Sequence, residues 1–331
     1  MSIQSVSVVG GGAWGTALAQ TLASSGKTVT LWAREAEVVA DIRERRVNRS
    51  FLPGISLHEA IVATTNLTET ARSSALLLVV PAQHARAVCK ELEPLLAAGA
   101  PVVMCAKGIE TASGKMMGDV ISETLPRTTL AVLSGPSFAS DVARGLPAAL
   151  TLACHNETLG RDLAASLSSR QMRLYWSNDI TGVELGGAVK NVLAIAAGIV
   201  EGRGLGASAH AAVVTRGFAE LRRFAEAMGA RAETLLGLSG LGDLVLTCGS
   251  PQSRNMSLGR ALGEGKTLAD VLGRRTSVTE GVYTAAAVVA LARRKGVEMP
   301  IAEAVHAIID GRSSVDQAIS ALMTRPLKAE D

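Results

Sequence analysis

The chain has 331 residues, is 48% hydrophobic and carries a formal net charge of +3. A chain of that length outgrows one hydrophobic core, so two domains are expected. The basic excess is thin and acidic residues occur in nearly every segment, which argues against a nucleic-acid-binding surface and fits a small anionic ligand better.

Cys89, Cys105, Cys154 and Cys248 form no C-x-x-C pair and are too dispersed for a disulfide framework or a structural zinc site, as expected of a cytoplasmic protein. The histidines show no ligand spacing, so no metal is assigned. The sequence opens directly into an apolar strand pattern without a charged leader and cleavage site, so secretion is not expected. Apolar runs such as 75–81 fall far short of the roughly 20 residues that span a bilayer, so membrane insertion is not expected either.

In chain order, short apolar runs at 5–9, 28–32, 61–64, 75–80, 102–105 and 129–133 alternate with helical patterns. That alternation predicts a parallel sheet with helices on both faces. Beyond about residue 179 the strand signals fade and Ala/Leu/Val periodicity of helical spacing takes over. A helix over about 179–200 is expected to carry the chain from the first half into the second, with a ligand cleft between them.

The first strand runs into Gly10-x-Gly12-x-x-Gly15 and then into good helix formers. Gly10 suits the tight turn, Gly12 the close approach of a pyrophosphate, and Gly15 the packing of helix on strand. The pyrophosphate would sit on the helix N-terminus, where N–H groups and the dipole favour an anion. This predicts a Rossmann-type, doubly wound dinucleotide-binding domain over residues 1–189 and an all-helical substrate domain over 190–331. The turn alone leaves FAD open. The second strand ends at Arg34, where an NAD site would place an acid, so NADP is the preferred cofactor, with Glu35 within reach of a ribose hydroxyl if NAD binds. A plain surface arginine at a helix start is the competing reading.

Over 184–191 helical spacing puts Gly187 on one face with Lys190 and Asn191, leaving room for a ligand beside an amine. The local pattern fits a solvated lysine equally well. Of 33 basic residues only eight are lysines, and lysine, unlike arginine, can lose its proton near neutral pH. Buried beside other cations, Lys190 would act as acid in one direction and base in the other of an alcohol–ketone interconversion. Further on, a glycine-rich segment leads through Asp243 and Thr247 to Ser253, a cap for a helix starting at Arg254 and Asn255, which is a candidate phosphate receptor. Gly265-Lys266-Thr267 is no P-loop, because the required earlier glycine is Arg260. The cluster Arg43, Arg45, Arg46 and Arg49 alternates with Asp41 and Glu44 and is expected to be a solvated face.

Over essentially its whole length the chain resembles the bacterial NAD(P)-dependent glycerol-3-phosphate dehydrogenases. The matching blocks are GGGAWGTALA at Gly10, NRSFLPG at Asn48, AKGIE at Ala106, LSGPSFA at Leu133, ELGGAVKN at Glu184, GLSGLGDLVLTC at Gly237, SRN at Ser253 and VTEGVYTA at Val278. The resemblance implies that Lys190 is the proton donor and acceptor, with Lys107 and Asp243 as its catalytic partners and Asn191 and Thr247 beside them. It implies that Gly135, Ser137, Ser253, Arg254 and Asn255 hold the substrate. Trp14, Arg34, Lys107, Ala139, Arg254, Val278 and Glu280 would contact the cofactor. It further implies reduction of dihydroxyacetone phosphate to sn-glycerol 3-phosphate for phospholipid synthesis, and a homodimer formed through the helical domain. A β-hydroxyacid or 6-phosphogluconate-type dehydrogenase would not account for Ser253-Arg254-Asn255 after Asp243, and a non-catalytic NADP sensor would not need Lys107, Lys190 and Asp243 together.

Overall fold

The computed structural model describes residues 3–273 and 279–326. Eight strands form one sheet: β1 (Ser5–Val9), β2 (Thr28–Trp32), β3 (Ile61–Thr64), β4 (Ala75–Leu78), β5 (Pro101–Met104), β6 (Thr129–Ser134), β7 (Ala148–Ala153) and β8 (Met172–Ser177). Their spatial order is β3-β2-β1-β4-β5-β6-β7-β8, so the direction of winding reverses between β1 and β4. β1 and β4 are almost wholly buried, because helices cover both faces and in/out alternation is not needed. One core layer lies under the helix Ala13–Ser24, and a second under the helices Ala82–Leu92 and Met117–Thr124.

Two features depart from the sequence reading. The last two strands were not anticipated: β7 is an Ala/Leu run equally suited to a helix, and β8 is a half-exposed edge strand. Nor is the sheet wholly parallel, since β6 pairs with β7 antiparallel. The segment joining them holds only the five-residue helix Ala139–Ala143. It reverses the chain where a parallel pair would need a full crossover.

The expected connecting helix is Ile180–Gly202. Asp179 starts it, one carboxylate oxygen accepting from Gly182 N at 2.9 Å and the other from Arg231 N at 2.9 Å. Its 23 residues are long and apolar enough to cross a membrane by length and composition, contrary to the count of apolar runs, but 94% of the apolar window is buried inside the fold. It is a core helix, apolar all round because protein surrounds it. The division expected between residues 189 and 190 falls within it: the helix packs on β6, and the helices Ala207–Ala227, Asp243–Cys248, Arg254–Gly263 and Glu280–Arg294 wrap the rest.

The tightest of these contacts is with Arg254–Gly263, and it runs through glycine. A Cβ on Gly198 would be driven into the Met256 carbonyl oxygen, and one on Gly259 into that of Ile195. With no side chains between them the backbones touch, which fixes the register of the two helices. The starts of the two contact segments, at Lys190-Asn191 and Arg254-Asn255, are thereby brought together.

Candidate active site

The glycine turn follows β1 at the point where winding reverses, the crevice where open α/β sheets bind ligands. Gly10 has φ +132, and a Cβ there would lie 2.8 Å from the Val79 carbonyl carbon, so the turn runs hard against the end of β4. A Cβ on Gly15 would enter the Gly10 carbonyl oxygen, whereas one on Gly12 would meet nothing within 4 Å. Gly12 is the N-cap of the helix Ala13–Ser24 and no side chain caps it. Trp14 Nε1 is buried without a partner. Open space at Gly12, an uncapped helix N-terminus and an orphaned donor fit a dinucleotide pyrophosphate.

Asp243 forms the centre of the second group. Its carboxylate accepts from Lys190 Nζ at 2.6 Å on one oxygen and from Lys107 Nζ at 2.7 Å on the other. Lys190 also donates to Thr247 Oγ1 at 2.8 Å, and Lys107 to the Gly135 carbonyl at 3.0 Å. Lys107 follows β5 and Gly135 follows β6, so both lie at the same C-terminal edge of the sheet as the glycine turn. Asp243 is reached through the π-turn Leu238–Gly242, closed by Gly242 N to the Gly237 carbonyl at 3.1 Å. That turn rests on the long helix at Gly186, where a Cβ would strike the Ser239 carbonyl oxygen.

Lys190 is 7% exposed and Asp243 is fully buried. Burial draws the Lys190 amine down to about 8. Asp243 opposes that shift and Lys107 adds to it. The sequence reading named both burial and neighbouring cations; desolvation is the larger cause, because the long helix is enclosed by protein. One correction concerns Gly187. A Cβ there would lie 2.6 Å from Ser134 Oγ and 3.3 Å from Lys107 Cγ, so the missing side chain makes room for protein and not for a ligand.

Asn255 Nδ2 donates to Asn191 Oδ1 at 2.9 Å, and Gly281 N donates to Asn255 Oδ1 at 3.1 Å. The Asn255 amide is thus oriented with one N–H hydrogen left for an acceptor, while Asn191 Nδ2 is turned to the carbonyls of Lys107 and Gly187 at 3.4 Å each. Ser253 caps its helix as expected, accepting from Met256 N at 3.2 Å. Arg254 opens the first turn of that helix; burial of its guanidinium lowers its pKa, and the Glu280 charge opposes that shift. Ser137 Oγ donates to the Gly135 carbonyl at 3.2 Å, and Ala139 opens the short helix beyond it. Glu280 accepts from Ala82 N at 3.3 Å across the cleft while its other oxygen is buried without a partner, and burial raises its pKa. Arg34 stands at the rim with its side chain 72% exposed, 3.0 Å from Glu35. Val278 lies outside the described residues.

Two further polar atoms face these groups and were not singled out from the sequence. Ser134 Oγ is buried without a partner beside Gly187 and the Lys107 stem, and nothing local marks a strand-end serine. Thr284 Oγ1 is likewise buried and unpartnered next to Gly108; its spacing of four from Glu280 is a helical signal that could have been read. The decoys resolve simply. Thr267 caps a short helix through a capping box with Asp270. The arginine group is a largely exposed face, as expected, and an ordered one: Arg45 and Arg49 hold Asp41 at 2.6 Å each, while Arg43 and Arg46 bond the carbonyls of Ala63 and Ile61 on edge strand β3.

A dinucleotide turn and a lysine–aspartate–lysine set centred on a buried carboxylate, at the same edge of one sheet, are the architecture of a nicotinamide-dependent oxidoreductase. The family model for the NAD-dependent glycerol-3-phosphate dehydrogenase N-terminus matches residues 5–160, and that for its C-terminus matches residues 179–320. The chain belongs to this NAD-dependent glycerol-3-phosphate dehydrogenase family. It is 58% identical over 330 residues to the NAD(P)+ glycerol-3-phosphate dehydrogenase of Parvibaculum lavamentivorans, covering 100% of this chain and 99% of that one. The protein of the same name from Caulobacter vibrioides is 58% identical over 330 residues, with 100% of each chain covered. The crystal structure of glycerol-3-phosphate dehydrogenase from Coxiella burnetii superposes with a TM-score of 0.93 at 38% identity, covering 98% of this chain and 99% of that one.

Proposed function

We propose that the protein reduces dihydroxyacetone phosphate to sn-glycerol 3-phosphate, the glycerol backbone for phospholipid synthesis, and that Lys190 is its proton donor and acceptor. The observation that carries the role of Lys190 is a buried amine, drawn down to about 8, held between a carboxylate and a hydroxyl at the edge of a dinucleotide crevice. When bound, the nicotinamide ring supplies hydride to the substrate carbonyl carbon or takes it back. As an ammonium, Lys190 gives a proton to the carbonyl oxygen as the alcohol forms; as a free amine it accepts that proton in reverse. Asp243 orients Lys190 and Lys107 by taking one on each oxygen, and Thr247 fixes a second direction of the Lys190 head.

The start of the helix Arg254–Gly263 is the phosphate receptor. Its Ser253 cap is already used, so the Arg254 guanidinium and the Asn255 amide that Asn191 orients, with Gly135 and Ser137 opposite, are what meet the substrate oxygens. Gly10, Gly12, Gly15 and Trp14 hold the cofactor pyrophosphate side, with Ala139, Lys107, Arg254, Val278 and Glu280 along its length. The Arg34–Glu35 pair is exposed and contributes under about 1 kcal/mol, so Arg34 can exchange Glu35 for a 2′-phosphate; NADP is the preferred cofactor and NAD is accepted.

In this reading residues 1–189 bind the dinucleotide, residues 190–331 bind substrate and form a homodimer, and the protein works in the cytoplasm, where its four buried, free cysteines stay reduced. Following NADPH absorbance with dihydroxyacetone phosphate tests the reaction: turnover is expected, and none at all would overturn it. Lys190→Ala should lower kcat by about 100-fold or more. Undiminished turnover would remove Lys190 from the mechanism.

A further inference from the structure

A second concavity lies away from the Lys190 group. A cavity of about 370 Å³ opens between the segment 113–119 and the C-terminal end of the helix Glu280–Arg294. Its volume is within the roughly 300–1,000 Å³ of small-molecule sites. Met116, Met228 and Leu291 supply apolar walls, and the two methionines are adaptable ones. Arg294 and Lys295 stand around it against one lining acid, Asp119, while Lys115 is paired with Glu123 just outside. Apolar walls beneath an excess of positive charge match an organic anion better than a bare ion or a neutral solute.

The wall is built before any ligand arrives. Glu110 N donates to the Lys115 carbonyl at 3.0 Å, Gly114 N to the Glu110 carbonyl at 2.8 Å, and Ile109 bridges to Met116. Arg86 anchors this turn by holding Glu110 at 2.9 Å. At its far end the segment touches the catalytic helix: Gly118 N donates to Glu184 Oε1 at 2.6 Å, and Glu184 is buried on the same helix as Lys190. Nothing in the reaction uses Glu184, yet it is a buried carboxyl joining the cavity wall to the helix that carries the proton donor.

We propose that this cavity binds a small amphiphilic organic anion, a short alkyl chain ending in phosphate or carboxylate, and that its occupancy reaches Lys190 through the Gly118–Glu184 contact. The anionic group meets Arg294 and Lys295 at the mouth, and the alkyl chain lies on Met116, Met228 and Leu291. Binding there adjusts the segment 113–119 and with it the seat of the long helix.

Hexyl phosphate is the probe, titrated calorimetrically into the full chain with saturating NADP+ and dihydroxyacetone phosphate, an oxidised pair that cannot react, so that the crevice is filled without turnover. Saturable binding is expected, and roughly tenfold or more weaker binding to the Arg294→Ala/Lys295→Ala variant, which leaves the crevice residues in place. No saturable binding, or equal affinity in the variant, would overturn the site. For the link, hexyl phosphate should change kcat of the wild type, and the change should vanish in Glu184→Met, which has no oxygen to accept from Gly118 N, while calorimetric binding persists and Glu184→Gln, which keeps that acceptor, still responds. A kcat indifferent to the probe, or one that still responds in Glu184→Met, would overturn the link. The calorimetric arm needs no turnover, so it stands or fails separately from the proposed reaction.

Discussion

Lys190 Nζ donates to Asp243 Oδ1 at 2.6 Å across 53 positions of sequence, and that contact works against the burial of the proton donor. Burial favours the neutral amine, the carboxylate favours the ammonium, and the result is a pKa of about 8 where an exposed lysine titrates near 10.5.

Reduction needs Lys190 protonated, so its kcat should be level below about pH 8 and fall above it; oxidation needs the free amine and should rise through the same point. Asp243→Asn removes the group that raises the pKa, so both breaks should move to lower pH. Profiles of kcat against pH in both directions check this, and breaks that stay put in the variant would contradict it.

Two glycines should respond oppositely. Gly12→Ala adds a methyl into open space where a pyrophosphate is to lie, so the melting temperature should hold while NADPH affinity, read by fluorescence titration, falls about tenfold or more. Gly259→Ala drives a Cβ into the Ile195 carbonyl and should cost about 1–3 kcal/mol of stability by denaturant titration. Loss of stability in the first variant with none in the second would refute both assignments.

Arg34→Ala should raise KM for NADPH well above its effect on KM for NADH, since only the former carries a 2′-phosphate. Parallel changes in the two constants would mean that the guanidinium does not read that group.

Glu220 is buried on the helix Ala207–Ala227 and accepts from Ile301 N at 2.8 Å and Ala302 N at 3.3 Å, joining two helices of the C-terminal half. Desolvation raises its pKa to about 7 from 4.5, with the two N–H groups pulling the other way. The folded chain therefore holds this proton more tightly than the unfolded chain. The resulting stability is complete below about pH 4.5 and is lost as pH rises through about 7. Denaturation midpoints should fall across that window in the wild type and fall less in Glu220→Gln. Identical slopes would show that Glu220 does not bind the proton.

Some of this was legible in sequence because it is local. Strand β1, the Gly10–Gly15 turn and the following helix are contiguous, and the φ of Gly10 and the close approach at Gly15 are demands that a few neighbouring residues state for themselves. Ser253 announced its cap in the same way. Lys107 and Asp243 had no such local mark; the family blocks brought them forward, and the structure places Asp243 between Lys107 and Lys190. Gly187 shows how a local reading fails: helical spacing correctly put it beside Lys190, but the space it opens is filled by Ser134 and Lys107, which come from different strand ends.

The sequence by itself determined the dinucleotide turn, the helix starts and, through its separate blocks, the family. Tertiary structure decided how strongly Lys190 is desolvated, which oxygen of Asp243 each lysine takes, and how close the long helix comes to its partners. The reason is physical. Backbone conformation and capping depend on atoms a few residues away, whereas burial and charge coupling depend on groups that only folding brings within a few ångströms.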